Sequence, residues 1–444
     1  MLLNFSLSNY KSFKDEVVFS MEPAPKQKGL DYSILQKKIG KKTYKALSSA
    51  VIYGPNASGK TNLIGAVEVL QAIMLRGNIL NSSQTGSPNV AASSLDLIPN
   101  SGLKQAEPVS FGITFIKDNW LINYQLSMDL GKFLEVDYQR KVLFEQLSVN
   151  GETLFTREEG SLKFENLSVL KEFWCVDFSD SQRLEMMKSL AQTGLNQVEL
   201  FLMNGFKAIF CPKFVEKIVQ WFKEQLVVIC RADALRLIKP FGQEITNGLM
   251  IEKHLSEAAK SFGIHSNVLG YIKNDNTKEP LLCSVIANGP SESVCIPAEV
   301  YESYGTVRFV NLFPLLISAM ATGGTLLIDE FDASIHPMAL MNIVNIFHND
   351  EINVNHAQLI FNTHNPIFLS PTLYRRDEIK FVERDEETHF SQHYSLSDFG
   401  TSGSKGVRKT GDYLRNYFID SYGAISEVDF SNLFSNIPKI KEEG

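Results

Sequence analysis

The sequence predicts an α/β protein: a mixed sheet with an antiparallel β subdomain, interrupted by a helical insertion. Three observations carry that expectation. A short apolar run, Ala50-Val51-Ile52-Tyr53, stops at Gly54, and apolar residues then recur three and four apart (Leu63, Ala66, Val67, Leu70, Ile73, Met74). That is the pattern of a buried parallel strand feeding an amphipathic helix. Alternating runs from Val109 to Phe115, Leu121 to Met128 and Val142 to Val149, with Asn150-Gly151 as a hairpin signal, indicate an antiparallel meander. From about Gln182 to Gly263 the spacing turns helical, with Phe214, Ile218, Trp221, Phe222 and Leu226 on one face.

Composition bounds the rest. The 444 residues are 44% hydrophobic and 21% charged, with formal net charge -7. That excludes a disordered or collagenous chain and a histone-like polycation. A length prior of roughly 150 residues per domain suggests about three units. The motif order below reduces these to one head, residues 1–160 and 266–444, holding an insertion over 161–265. Five scattered cysteines without a C-x-x-C pair argue against a disulfide framework or a zinc site and fit a reducing cytoplasm. The first residues lack the basic and apolar regions of a signal peptide.

Along the chain, Phe5, Leu7, Tyr10, Phe13, Val17, Phe19 and Met21 alternate as strands do, and the stretch from Pro23 to Lys42 reads as a loop. Asn78 to Leu103, rich in Ser, Asn, Gly and Pro, reads as an exposed excursion. Leu281 to Ile286 and Ser293 to Ile296 read as strands that resume the sheet. Phe309 to Ile328 carries no charge, a length able to span a bilayer. Gly323 and Gly324 divide it, however, into a buried helix (about Val307 to Ala321) and a buried strand (Thr325 to Ile328), so no membrane partner is expected. A glycine-rich loop from Gly400 to Gly411 and a short helix from Asp412 to Ser421 close the chain.

Four elements carry chemistry. Gly54-Pro55-Asn56-Ala57-Ser58-Gly59-Lys60-Thr61 is a full G-x-x-x-x-G-K-[ST] phosphate loop between strand and helix. Its backbone N–H groups and helix N-terminus form an anion nest for ATP; Lys60 reaches the β- and γ-phosphates, and Thr61 ligates Mg²⁺. Thr325-Leu326-Leu327-Ile328-Asp329-Glu330 is an apolar strand ending in two carboxylates. Asp329 is the metal-side acid, and Glu330 is placed to polarise an attacking water, which marks a hydrolase. Gln358 to His364 is another apolar strand, which as a third parallel strand brings His364 to the same sheet edge. There a neutral imidazole can hydrogen-bond the γ-phosphate. Glu302-Ser303-Tyr304-Gly305-Thr306 is a polar helix start with Ser303 as N-cap. His254, His265 and His389 have no such context.

In this order, the motifs resemble those of ABC-class ATPases of the SMC, RecF and OLD lineage. Within that group the chain is similar to the compact AAA-type ATP-binding subunits of phage-defence and abortive-infection systems (AbiL/RloA, PARIS and Septu types). The resemblance implies an ABC-type P-loop NTPase head. Asn9-Tyr10-Lys11-Ser12-Phe13 resembles the family strand end where Lys11 and Ser12 approach the nucleotide alongside Asn62 of the loop. Glu302-Ser303-x-Gly305-Thr306 resembles its signature motif, and Asp329 to Pro337 its acidic strand plus D-loop, with Asp332 and Ser334. Phe361-Asn362-Thr363-His364-Asn365 matches its switch-histidine strand; Arg375 to Ile379 and Ser421 to Ile425 resemble its C-terminal segments. The resemblance implies a homodimer or higher even-numbered oligomer with composite ATP sites, in which Ser303, Gly305, Thr306, Asp332 and Ser334 act in trans. Glu330, His364 and Lys60 are its expected catalytic residues, with ATP and Mg²⁺ as cofactors. The family's Mg²⁺-sensing glutamine has two candidates, Gln105 and Gln125.

OLD nucleases carry a C-terminal metal-binding domain whose acidic spacing the last 80 or so residues do not reproduce. The expectation is a cytoplasmic regulatory ATPase that controls a separate effector, nuclease-like or toxic, with DNA or a phage-derived molecule as candidate trigger. The alternative is a DNA-clamping ATPase of repair or chromosome maintenance. For it, Lys405, Arg408 and Lys409 offer phosphate contacts, but the net acidity provides no broad basic footprint.

Overall fold

The computed structural model describes residues 1–25, 27, 29–80, 96–135, 138–178, 180–230, 248–251, 253–261, 268–273, 280–287, 293–333, 335–400, 407–408 and 411–425. Ser334, Lys405 and Lys409 lie outside these residues.

The apolar runs at 50–53, 325–328 and 358–362 are strands of one sheet whose two faces are both covered. Its six strands lie in the order Leu226–Ile229, Thr325–Ile328, Gln358–Asn362, Ser49–Tyr53, Ile379–Arg384 and Ser391–Ser395. All pairs are parallel except the last, a hairpin. Alternate side chains serve different cores, which is why these strands are apolar throughout rather than alternating. Ala50, Ile52, Leu327 and Ile360 join one core with the helix Lys60–Arg76 and the antiparallel sheet. Val51, Tyr53, Leu326, Ile328, Leu359 and Phe361 join the other, beneath the helices Tyr304–Thr322 and Pro337–His348.

The meander is a seven-stranded antiparallel sheet that also recruits Leu2–Ser8 and Val17–Ser20. Asn150 and Gly151 both take positive φ, 53° and 89°, the type I′ geometry that matches strand twist. The helix Pro212–Gln220 and the π-helical turn after it pack on this sheet, with Trp221 stacked on Phe115 at 3.9 Å between centroids.

The structure corrects the sequence reading in four places. Residues 34–47, partly assigned to a loop ending at Lys42, form a β-hairpin, Ile34–Ile39 with Lys42–Leu47. Lys38, Lys41, Lys42 and Lys45 are exposed, while Leu35 and Ala46 pack with Met1, Leu3 and Ile116. Leu226 does not continue the helix of Phe214 and Trp221. The Gln71 amide donates to the Phe222 and Leu226 carbonyls, both at 2.6 Å, and the chain turns there into the edge strand Leu226–Ile229. The block 161–265 is therefore not helical throughout: it supplies a strand of the central sheet and the strand Gly248–Ile251. The strands Leu281–Ala287 and Ser293–Pro297 do not resume the central sheet. With Gly248–Ile251 and Val268–Lys273 they make a separate four-stranded antiparallel sheet. Finally, the described ends of the 78–103 excursion are docked, with Ile79, Leu97 and Asn100 buried.

The helix Tyr304–Thr322 is long and apolar enough to cross a membrane by composition. Phe309, Val310, Leu312, Leu316 and Ala319 pack it into the second core instead, and Gly323 (φ 66°) ends it.

Candidate functional site

The parallel strands ending at Tyr53, Ile328 and Asn362 leave the sheet at one edge, and they are followed there by Gly54, Asp329-Glu330 and Thr363-His364. Gly54 is required sterically, since a Cβ there would lie 2.1 Å from the Val382 carbonyl oxygen. At Gly59 (φ 110°) a Cβ would meet Ser391 Oγ at 2.6 Å and Ser12 Oγ at 2.7 Å. The loop is thus laid against two distant segments. Ser391 donates to the Ser58 carbonyl (2.6 Å), and Asn62 Nδ2 donates to Ser12 Oγ (2.9 Å). Asn56 and Ala57 remain exposed at the tip, and Pro55 is partly so.

Lys60 points back into the loop, where its ammonium donates to the Gly54 (2.7 Å) and Pro55 (2.8 Å) carbonyls. Burial lowers its pKa to about 8, against the opposing pull of Asp329 and Glu330. The Thr61 hydroxyl donates to Asp329 Oδ2 at 2.9 Å, so helix and acidic strand meet at one point. Asp329 is buried, and desolvation raises its carboxyl pKa although bonds from Asn362 and Thr61 favour the ionised form.

Glu330 has φ 50°, a left-handed conformation uncommon outside glycine, and its side chain is exposed. Both flanking peptides are held: Asn362 Oδ1 accepts from the Glu330 N–H, and the Arg308 guanidinium donates to the Glu330 carbonyl. His364 lies at the adjacent strand end, in the field of Lys60 and of Asp332, Glu330 and Asp329. Partial desolvation and Lys60 outweigh the carboxylates and keep its pKa below the ordinary 6.5, so the ring is neutral at pH 7.

Other predicted residues lie apart from this group. Lys11 (φ 50°) pairs with Asp96 at 3.2 Å, whereas its neighbour Ser12 reaches the loop. Ser303 caps its helix by accepting from the Thr306 N–H (3.1 Å), with Glu302 taking a bond from Ser284 (2.7 Å). Gly305 follows in the first turn, and Val300, Tyr301 and Tyr304 around it are 78%, 51% and 54% exposed. Gln105 is exposed in the loop before Val109, and Gln125 is exposed on the antiparallel sheet. Sequence reasoning missed three contributors: Ser391, Asn362 as a clamp, and Arg308. Only Asn362 carried a local signal, a polar residue closing an apolar strand beside the histidine.

Residues 49–183 and 234–370, more than half of the chain, match the family described as AAA domain, putative AbiEii toxin, Type IV TA system. The gap between the matched stretches takes in the helix Pro212–Gln220 and the edge strand Leu226–Ile229. Among curated proteins, none matches the chain.

Proposed function

The chain belongs to this AAA-domain family of P-loop ATPases, and from that premise we propose that it is an ATP-hydrolysing regulatory subunit of an antiviral defence complex. It dimerises through composite ATP sites and controls a separate nuclease-like or toxic effector. The observation that carries the hydrolytic part is the convergence of Lys60, Thr61, Asp329, Glu330 and His364 at one sheet edge. A hydroxyl and a carboxylate 2.9 Å apart, the latter buried where its charge lacks a full counterion, are a donor set suited to Mg²⁺. Thr61 and Asp329 would hold the ion, which when bound would offset phosphate charge.

The phosphates of ATP enter a nest of backbone N–H groups at the N-terminus of helix Lys60–Arg76, and compete with the Gly54 and Pro55 carbonyls for the Lys60 ammonium. Glu330 takes a proton from the attacking water, because its exposed carboxylate stands beside the buried Asp329 rather than sharing its contacts. Neutral His364 donates a hydrogen bond to the terminal phosphate and so senses its presence.

Dimerisation is supported by the exposed Val300, Tyr301 and Tyr304 around a helix N-terminus whose capping Ser303 is itself exposed. The defence setting is supported by the family's description as a putative AbiEii toxin, Type IV TA system. A Glu330→Gln chain tests the core of the reading. It should bind ATP at wild-type affinity, accumulate as an ATP-bound dimer in light scattering, and hydrolyse about 10²–10⁴-fold more slowly. Wild-type turnover would remove Glu330 from its role. Affinity purification from the host with ATP present should recover a second chain as effector.

A further inference from the structure

Arg308 is charged, sits on the core-facing side of the helix Tyr304–Thr322 among Phe309, Val310 and Leu312, and is only 5% exposed. Its guanidinium donates to the Glu330 carbonyl, while its Nε is buried with no hydrogen-bond partner. An arginine desolvated this far and only partly satisfied is a poor source of stability; a well-packed apolar residue of similar volume is often neutral or better. Its contribution is instead to place one peptide.

That peptide is the one that matters for the carboxylate. Glu330 holds φ 50°, a conformation that costs a non-glycine residue about 1–2 kcal/mol unless its surroundings impose it. Two contacts impose it, Asn362 on the N–H side and Arg308 on the carbonyl side. With both peptides pinned, the direction of the Glu330 Cα–Cβ bond is set, and with it the carboxylate whose charge Lys60 and His364 feel. Asn362 belongs to the rigid central sheet. Arg308 belongs to a helix whose first turn carries Ser303, Gly305 and Thr306, about 4.5 Å along the axis from Gly305 to Arg308. Anything that shifts this helix end moves the clamp on Glu330.

We propose that Arg308 is a positioning residue. It couples the N-terminus of helix Tyr304–Thr322 to Glu330 of the same subunit, so that the triphosphate held by a second copy of this chain sets the hydrolytic geometry here. This rests on the composite-site reading and adds reciprocity to it: each site reaches full rate only when the site opposite is filled. The buried Nε gives the helix a second donor to engage once it moves.

The test uses the full chain as Arg308→Met and Arg308→Lys, with Glu330→Gln in parallel. Binding of a fluorescent ATP analogue should stay within about twofold of wild type, because the Arg308 guanidinium bonds the Glu330 carbonyl rather than the phosphate loop. The kcat of Arg308→Met should fall about 10- to 100-fold at unchanged KM, the scale expected of a misplaced catalytic group. The Hill coefficient for ATP should drop to about 1 as coupling is lost. Arg308→Lys, which retains one donor, should fall between. Wild-type kcat and Hill coefficient in folded Arg308→Met would overturn the proposal, as would ATP affinity falling in step with kcat. Should Arg308→Met fail to fold, Arg308→Lys decides: a lowered kcat at unchanged affinity supports the coupling, and an unchanged kcat overturns it. If Glu330→Gln also turns over normally, it is the underlying hydrolytic assignment that fails; if only the Arg308 variants do, the coupling alone fails.

Discussion

The phosphate loop and the start of helix Tyr304–Thr322 both lead into helix N-termini, the first at Gly59 with no side-chain cap and the second capped by Ser303, and the chain treats them in opposite ways. Around the loop, Ser12, Asn62, Ser391 and Ser58 bond one another across more than 300 residues of sequence, and Gly54 lies against a backbone carbonyl. Around Ser303 the bonds are local, to Thr306 and, through Glu302, to Ser284, and the flanking Val300, Tyr301 and Tyr304 are left to solvent. A helix end braced by distant segments of its own chain is finished; one ringed by exposed apolar side chains leaves a surface of the kind that partners cover. In the proposed dimer, the first end holds the nucleotide of its own chain and the second faces the nucleotide of the other copy.

The largest effect should come from breaking the finished end. Gly54→Ala drives a methyl group into the Val382 carbonyl, so about 3 kcal/mol or more of local stability should go, together with nucleotide binding; thermal shift with and without ATP measures both. Next, Ser303→Arg should leave ATP affinity intact while abolishing ATP-dependent dimers in light scattering and cutting turnover about 100-fold, a hot-spot loss. Equal loss of binding and turnover would mean the two ends are not independent. A smaller effect follows from Lys60. Its ammonium is the phosphate-binding form, and burial brings its pKa from 10.5 down to about 8. ATP affinity should therefore hold near pH 7 and weaken by about tenfold at pH 9, with proton uptake on binding in calorimetry. The smallest sharpens the loop's bracing: Ser391→Ala removes one hydrogen bond, costing about 1 kcal/mol and weakening ATP binding about fivefold.

Much of this was legible because it is written in adjacent residues. A strand, a glycine loop and a helix follow each other from Ala50 to Met74, and Asp329-Glu330 and His364 each end an apolar run; local spacing carries all three. Where the same apolar signal is short, it misleads. Leu226–Ile229 follows an amphipathic helix without a break, so periodicity assigned Leu226 to that helix, and only the Gln71 amide and the neighbour Thr325–Ile328 make it a strand. The hairpin from Ile34 to Leu47 was obscured by lysines that face water on both strands.

Read without its fold, then, the chain already specified the phosphate loop, the acidic strand, the strand ending before His364 and the capped start of helix Tyr304–Thr322, since helix caps, glycine turns and two-sided strands depend on neighbours a few positions apart. The tertiary structure alone decided which residues hold that site in shape. It sent Lys11 to Asp96 and Ser12 to Asn62, set Ser391 under the loop, and closed Asn362 and Arg308 on either side of Glu330. Those contacts join residues 22 to 333 positions apart, and pairing at that distance follows from strand order and core packing, which no local pattern encodes.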